Sequence, residues 1–263
     1  MIKLFATDLD GTLLKKQNLI KDDDIHAIKS LEKLDIDFAI ATGRMDRDIV
    51  EICKEMNQKA YRVSQNGAFV VDVNNSSLHA HTFDGSISKL IHEQITSLPN
   101  LVCVTTADEF YISKKNEQIK SLENFLYYPL VEGIDFADRY GEDIHVSKFM
   151  IIGETTQLVS VQIEIEAQFS QYIETYISDP TCLDIVPKGV SKADGLLRLA
   201  KQLEIEPNEI AVIGDSFNDV PMFGLTDYSF AMKDAPTEVR QKANYVVHDV
   251  KDAIHQITSL IHQ

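Results

Sequence analysis

The sequence predicts an α/β fold: a doubly wound, mostly parallel sheet with an inserted α+β domain. Three observations lead there. At both ends of the chain, short apolar runs that read as buried strands alternate with stretches of helical period. Three of those strands stop abruptly in polar clusters, at Asp8 and Asp10, at Thr42, and at Asp215, Asn218 and Asp219. From about Phe83 to Val186 strands and helices fall into segregated runs, and the alternation then resumes. The expected division is therefore 1–82 with 187–263 as one domain and 83–186 as the insertion. The 263 residues suffice for both.

Lys3 to Thr7 is apolar enough for a buried parallel strand. Asp22 to Leu34 carries Ile25, Ile28, Leu31 and Leu34 at helical spacing, with Asp22 or Asp23 as cap. Asp37–Ala41 is a second strand, and Arg47 to Met56 a helix with Ile49, Val50, Ile52, Cys53 and Met56 on one stripe. Tyr61–Ser64 and Phe69–Val73 flank Asn66-Gly67, a strong hairpin signal. Leu78–Phe83 is a further strand. In the insertion, helices are expected over Ser86–Leu98, Glu117–Leu126 and Thr156–Phe169. Strands there are expected over Leu101–Thr105, Phe110–Ser113, His145–Ile152, Gln171–Ile177 and Cys182–Val186. After it come a helix at Lys192–Leu203, a strand at Glu209–Ile213, a short helix at Val220–Leu225 and a strand at Tyr228–Met232. A helix at Thr237–Lys242, a strand at Tyr245–Val247 and an amphipathic helix at Val250–Ile261 complete the chain.

Composition narrows the function. The net charge of −16 disfavours nucleic acid and anionic membrane as partners, because both need a basic face. Cys53, Cys103 and Cys182 are odd in number and far apart, and read as reduced thiols of a cytoplasmic protein. The first residues hold too short an apolar run for a signal peptide, and nothing approaches a membrane span.

The polar strand ends carry the chemistry. Asp8 and Asp10 are two residues apart, so on extended backbone they share a face. Two carboxylates so close cannot both ionise easily without a cation. Carboxyl ends of parallel strands line one edge of a sheet, so Asp215 can join them. Together Asp8 and Asp215 offer hard oxygen ligands suited to Mg²⁺, which binds one or two carboxylates, waters and a substrate phosphate. Lys192, at a helix start, adds a second cation, and Thr42 and the Gly43 N–H can donate to a phosphate oxygen.

Four segments in this order, DLDGTLL, ATGR, the lysine of KGVSKADGL and GDSFND, resemble those of the haloacid dehalogenase superfamily of phosphohydrolases. The long insertion between the second and third resembles its Cof-type subfamily with a large α/β cap. SQNGA at Ser64–Ala68 and AMKDAP at Ala231–Pro236 match as well; the family usually has Asn where Asp234 stands. The resemblance implies a Rossmann-like core with a specificity cap, hinged near Phe83 and Pro187-Lys188-Gly189. It implies a Mg²⁺-dependent phosphomonoester hydrolase acting on a sugar phosphate, FMN or pyridoxal phosphate type of metabolite. Asp8 would be the nucleophile that forms an aspartyl-phosphate, and Asp10 the general acid and then base. Asp8, the Asp10 backbone carbonyl and Asp215 would hold the metal. Asp219 would stand behind them or orient Lys192. Thr42, Lys192 and Asn218 would hold the phosphoryl oxygens, with Asn66, Gly67, Gly43 and Arg44 near them.

Other readings stand beside these. Asn66-Gly67 is first a hairpin turn, and Asp219 can cap the helix that follows. His79 and His81 share a strand face, but no third ligand is near in sequence for zinc. Asp22-Asp23-Asp24 reads as a solvated helix start. Phe125, Tyr127 and Tyr128 read as core or interface before substrate contacts. A phosphotransferase or phosphomutase would share Asp8, and a phospho-acceptor binding module would share its Asp, Thr and Lys, but not a general acid at Asp10. The expected partner is a small-molecule phosphomonoester, and the expected state monomer or homodimer.

Overall fold

A strand buried on both faces must be apolar throughout, and Leu4–Thr7 (β1) is buried at every residue. The computed structural model describes residues 1–15, 19–123 and 126–261. The next strands in chain order are β2 (Asp37–Ala41), β3 (Tyr61–Ser64), β4 (Phe69–Val71) and β5 (Ser77–Ala80). Then follow β6 (Leu101–Thr105), β7 (Phe110–Ile112), β8 (Val131–Glu132), β9 (Lys148–Ile152), β10 (Ile173–Asp179) and β11 (Cys182–Pro187). The last are β12 (Ile210–Gly214), β13 (Tyr228–Met232) and β14 (Tyr245–Val247). The α-helices are α1 (Asp22–Ser30), α2 (Asp46–Met56), α3 (Gly85–Thr96), α4 (Glu117–Glu123) and α5 (Thr155–Phe169). After them come α6 (Lys192–Gln202), α7 (Val220–Phe223), α8 (Thr237–Arg240) and α9 (Val250–Ile261).

The chain divides into two compact units, Met1–His79 with Ser191–Gln263, and Ala80–Val190. The first holds the sheet ordered β14-β13-β12-β1-β2-β3-β4-β5. From β14 to β3 every pairing is parallel, with Leu4 opposite both Ile210 and Asp37. β3 and β4 turn back on each other, with Ser64 opposite Phe69. The order places β12, β1 and β2 side by side, so the three polar strand ends share one edge of the sheet. A short 3₁₀ turn at Leu31–Leu34 carries α1 toward β2, ending in left-handed Asp35.

One expectation at the start of α1 fails. Asp24 is not solvated but fully buried, and it accepts a hydrogen bond from the Lys251 N–H at 2.8 Å. Helical period puts Asp24 on the same face as Ile28, which packs inward. Asp23 pairs with Lys251 Nζ at 2.9 Å and Lys21 with Asp249 at 3.4 Å, so this acidic run fastens α1 to α9.

The inserted unit is a six-stranded sheet ordered β10-β11-β9-β6-β7-β8, antiparallel except where β7 meets β8. The two-residue strand β8 was not legible in the sequence. Ile91 and Ile95 of α3 and Leu158 and Ile165 of α5 pack against Val102, Val104, Phe149, Ile151, Leu183 and Ile185 in one core. Each such side chain contributes about 1.5–3 kcal/mol on burial. A smaller cluster of Cys103, Ile112, Ile119 and Leu130 packs apart from it. Lys148 and Asp184 form a buried ion pair at 3.2 Å within this unit. Tyr127 and Tyr128 are half-buried, and Phe125 lies outside the described residues. The three cysteines form no disulfide. Among the described residues, no helix is long and apolar enough to cross a membrane.

Candidate active site

β1 ends at Thr7, and the Asp8 N–H donates to the Ile213 carbonyl at 2.9 Å. That bond fixes Asp8 at the sheet's edge beside the end of β12. The Asp8 side chain is buried, and its Oδ1 accepts from Lys192 Nζ at 2.6 Å. Lys192 sits on the first turn of α6, which Ser191 caps by accepting from the Asp194 N–H at 3.0 Å. The same Nζ donates to Asp219 Oδ1 at 2.6 Å, and Lys192 is only 1% exposed. A fully buried lysine is thus held between two buried carboxylates.

The turn after β12 arranges the rest. Ser216 and Asp219 form a reciprocal capping box around a 3₁₀ turn at Phe217–Asp219. Asp219 Oδ2 accepts from the N–H groups of Asp215 and Ser216 at 2.8 and 2.9 Å. Both of its oxygens are therefore engaged, one by Lys192 and one by backbone. Asp219 thus holds Lys192 with one oxygen and the loop with the other. Asp215 accepts from the Thr12 hydroxyl at 2.8 Å. Thr12 is fully buried and was not singled out from the sequence; its place one residue after Gly11 was the signal available. Gly11 is required twice over. Its φ is +82°, and a Cβ there would stand 2.3 Å from Asp215 Oδ2.

Carboxylate oxygens of Asp8, Asp215 and Asp219 lie within 4.8 Å of one another. Burial pushes the Asp8 carboxyl well above its ordinary value, against the pull of Lys192, and Asp219, Asp215 and Asp10 push the same way. Burial and Asp219 likewise push Asp215 up to about 6. Burial alone would lower Lys192, but Asp219 and Asp8 overcome it and hold the ammonium charged. One lysine does not balance this group of carboxylates. Hard oxygen donors, close packing and unmet negative charge together fit a divalent cation such as Mg²⁺. Among the described residues, this is the one group of three or more His, Cys, Asp or Glu placed to hold a metal, and His79 and His81 belong to no such group.

Asp10 takes a different partner. The extended backbone stops at Thr7, and the chain turns at Leu9. The Asp10 side chain is 57% exposed and meets Arg44 in a two-bond pair, Nε to Oδ2 at 2.8 Å and Nη2 to Oδ1 at 2.5 Å. Arg44 follows Thr42, whose hydroxyl accepts from the Arg44 N–H at 3.2 Å and keeps its own proton to donate. The Thr42 N–H donates to Val63 and its carbonyl accepts from Asn66, fastening the loop after β2 to β3 and its turn. Gly43 lies in that loop, half-buried.

The hairpin between β3 and β4 is a 3₁₀ turn at Gln65–Gly67 with Gln65 and Asn66 left-handed, at φ 49° and 57°. Gly67, at φ +100°, lies where a Cβ would fall 2.1 Å from the Ser191 carbonyl. The turn is thereby pressed onto the start of α6. Asn66 Oδ1 accepts from Asn218 Nδ2 at 3.1 Å, which joins the hairpin to the turn after β12. Asn218 Oδ1 is buried with no hydrogen-bond partner. The structure thus gathers Asp8, Lys192, Asp215 and Asp219 into one cluster, pairs Asn66 with Asn218, and pairs Asp10 with Arg44. Asp234, the departure noted in AMKDAP, is exposed.

Known proteins place the chain. A relative from Escherichia coli K12, a 5-amino-6-(5-phospho-D-ribitylamino)uracil phosphatase, is 27% identical over 250 residues, 93% of this chain and 90% of that protein. An HMP-PP phosphatase from Escherichia fergusonii is 24% identical over 240 residues, 91% of this chain and 87% of that one. A solved haloacid dehalogenase-like hydrolase from Bacillus subtilis superposes with a TM-score of 0.89, over 98% of this chain and all of that one. At 22% identity it speaks for the fold. The family model for haloacid dehalogenase-like hydrolases matches residues 5–256. The chain belongs to the haloacid dehalogenase-like hydrolase family, and is an enzyme of its phosphatase type.

Proposed function

We propose that this enzyme is a Mg²⁺-dependent phosphomonoester hydrolase acting on small phosphorylated metabolites through an aspartyl-phosphate. The observation that carries the reading is Asp8, buried at the end of β1 with one oxygen fixed by Lys192 and Asp215 close by. The names of the two relatives above support a small phosphorylated substrate for this chain as well.

Asp8, Asp215 and the Asp10 backbone carbonyl would hold the cation; Asp219, with both oxygens occupied, would not need to. Bound there, Mg²⁺ supplies positive charge against the phosphoryl and carboxylate oxygens. An Asp8 oxygen attacks phosphorus. The bond to the leaving oxygen breaks, and that oxygen takes a proton from Asp10. Water, losing a proton to Asp10, then attacks phosphorus and frees the Asp8 carboxylate and inorganic phosphate. Thr42, Lys192 and Asn218 hold the transferred oxygens, so the protein positions the group and stabilises its charge. The inserted unit is assigned the role of cap, which selects the alcohol.

A screen of phosphorylated metabolites with Mg²⁺, using Asp8→Asn as the blank, tests this. Phosphate release by the wild type and none by the variant is expected. Substantial turnover by Asp8→Asn would rule out the covalent route, and no release by the wild type from any substrate or from a generic aryl phosphate would overturn the reading.

A further inference from the structure

The general acid must bring a carboxyl oxygen to the leaving oxygen, yet both oxygens of Asp10 are taken by Arg44. Arg44 is a well-held partner. Its side chain is 13% exposed, its N–H is bonded to Thr42, and its carbonyl accepts from the Gln65 N–H at 2.9 Å. Asp10 is the more exposed member of the pair. A two-bond guanidinium–carboxylate pair fixes the carboxylate's plane as well as its position. It can also give up one bond and turn about the other.

We infer that Arg44 is the positioning residue for Asp10, a pivot that keeps one carboxylate oxygen anchored while the other, released from the guanidinium and protonated by solvent, turns to give that proton to the substrate's leaving oxygen. The inference rests on the phosphatase reading and adds the residue through which the proton shuttle is aimed. It gives Arg44 a role that a phosphate contact would not. A phosphate contact serves every phosphomonoester alike, whereas a pivot for the acid matters in proportion to how much the leaving group needs a proton. It also separates Arg from Lys: an ammonium can pair with one oxygen but cannot hold the plane.

The test uses the intact enzyme with Mg²⁺ and a series of phosphomonoesters, from nitrophenyl phosphates with good leaving groups to alkyl phosphates with poor ones. Wild type, Arg44→Gln, Arg44→Lys, Asp10→Asn and the double variant Asp10→Asn/Arg44→Gln are compared by kcat and KM. Arg44→Gln is expected to lose most on the alkyl phosphates, up to about 10²-fold in kcat, as a misaimed catalytic group does. Its dependence on the leaving group steepens, and Arg44→Lys restores part of it. In the Asp10→Asn background, Arg44→Gln steepens it no further. An equal loss across the series, or a loss of the same size with and without Asp10, would overturn the inference and leave Arg44 a phosphate contact or a structural residue. An inactive wild type would instead count against the phosphatase reading, which keeps the two failures apart.

Discussion

Lys192→Met is the sharpest single perturbation of the site. Methionine fills similar volume but leaves two buried carboxylates without the ammonium that each meets at 2.6 Å. Asp219 keeps its two backbone donors, so the larger loss falls on Asp8. Removing one partner of a buried ion pair costs about 3–5 kcal/mol. At roughly 2–4 °C per kcal/mol for a chain of this size, the melting of the first unit should fall by about 6–20 °C. The loss should also depend on pH. The Asp8 carboxyl is already pushed above its ordinary value by burial and by its acidic neighbours, with Lys192 opposing them. A carboxyl raised in the folded state destabilises it increasingly as pH rises above the unfolded value, and the variant removes the one opposing charge. The gap between variant and wild type should therefore widen from pH 5 to pH 8 in chelator, as read by thermal unfolding. A variant that melts within 2 °C of wild type at pH 8, a margin about one-third of the smallest expected shift, would refute the reasoning. So would a gap that does not change with pH.

Asp10→Asn should lower turnover of a poor-leaving-group substrate roughly 10²–10⁴-fold, the usual contribution of a general acid. Calorimetry should find its Mg²⁺ affinity largely intact, since its backbone carbonyl remains; lost affinity would contradict that assignment. Asp215, with its carboxyl near 6 in the fold against an ordinary 3.8, binds its proton more tightly folded than unfolded. In chelator its contribution to stability should be full below about pH 4 and fall as pH rises toward 6, and Asp215→Asn should flatten that fall. Mg²⁺ affinity should rise over the same window, because the ligand must lose its proton; an affinity indifferent to pH would count against Asp215 as ligand. Gly67→Ala should lower the melting temperature, since φ +100° and the Ser191 carbonyl at 2.1 Å from the added carbon both oppose it; an unchanged melting temperature would mean the hairpin can move off α6.

The parallel sheet was legible because its strands are short apolar runs closed by turn or polar residues. Asp37–Ala41, Tyr61–Ser64 and Tyr228–Met232 fall where period and punctuation put them. Strand β8 was not, because two residues carry no period. The burial of Asp24 was missed for a different reason. Sequence shows three acidic residues at a helix start, where charge is favourable, but only the packing of α1 on α9 decides which one turns inward. Lys192 and Asp219 were legible as candidate site residues from their motifs. That one nitrogen bridges two carboxylates depends on α6 starting beside the turn after β12, which no local pattern encodes. Thr12 and the Asn66–Asn218 bond are of the same kind: side chains from segments far apart in the chain, brought together by strand order.

Asp8 and Asp10 are separated by one residue, yet the fold gives them opposite surroundings. Extended backbone would have set them side by side facing one another's charge. The turn at Leu9 gives them different partners, although Asp10 still pushes the Asp8 carboxyl up, and Gly11 lets the chain continue past Asp215. Asp8 is left buried at the strand end among acids, with a lysine on one oxygen, the shelter and fixed aim that the proposed nucleophile would need. Asp10 is left in the open with a guanidinium on both oxygens, with the room to turn that the proposed proton shuttle would need. The difference does not come from the residues, which are identical. It comes from where the strand stops: β1 ends at Thr7, and the turn at Leu9 hands Asp10 to Arg44 while Asp8 stays with Lys192.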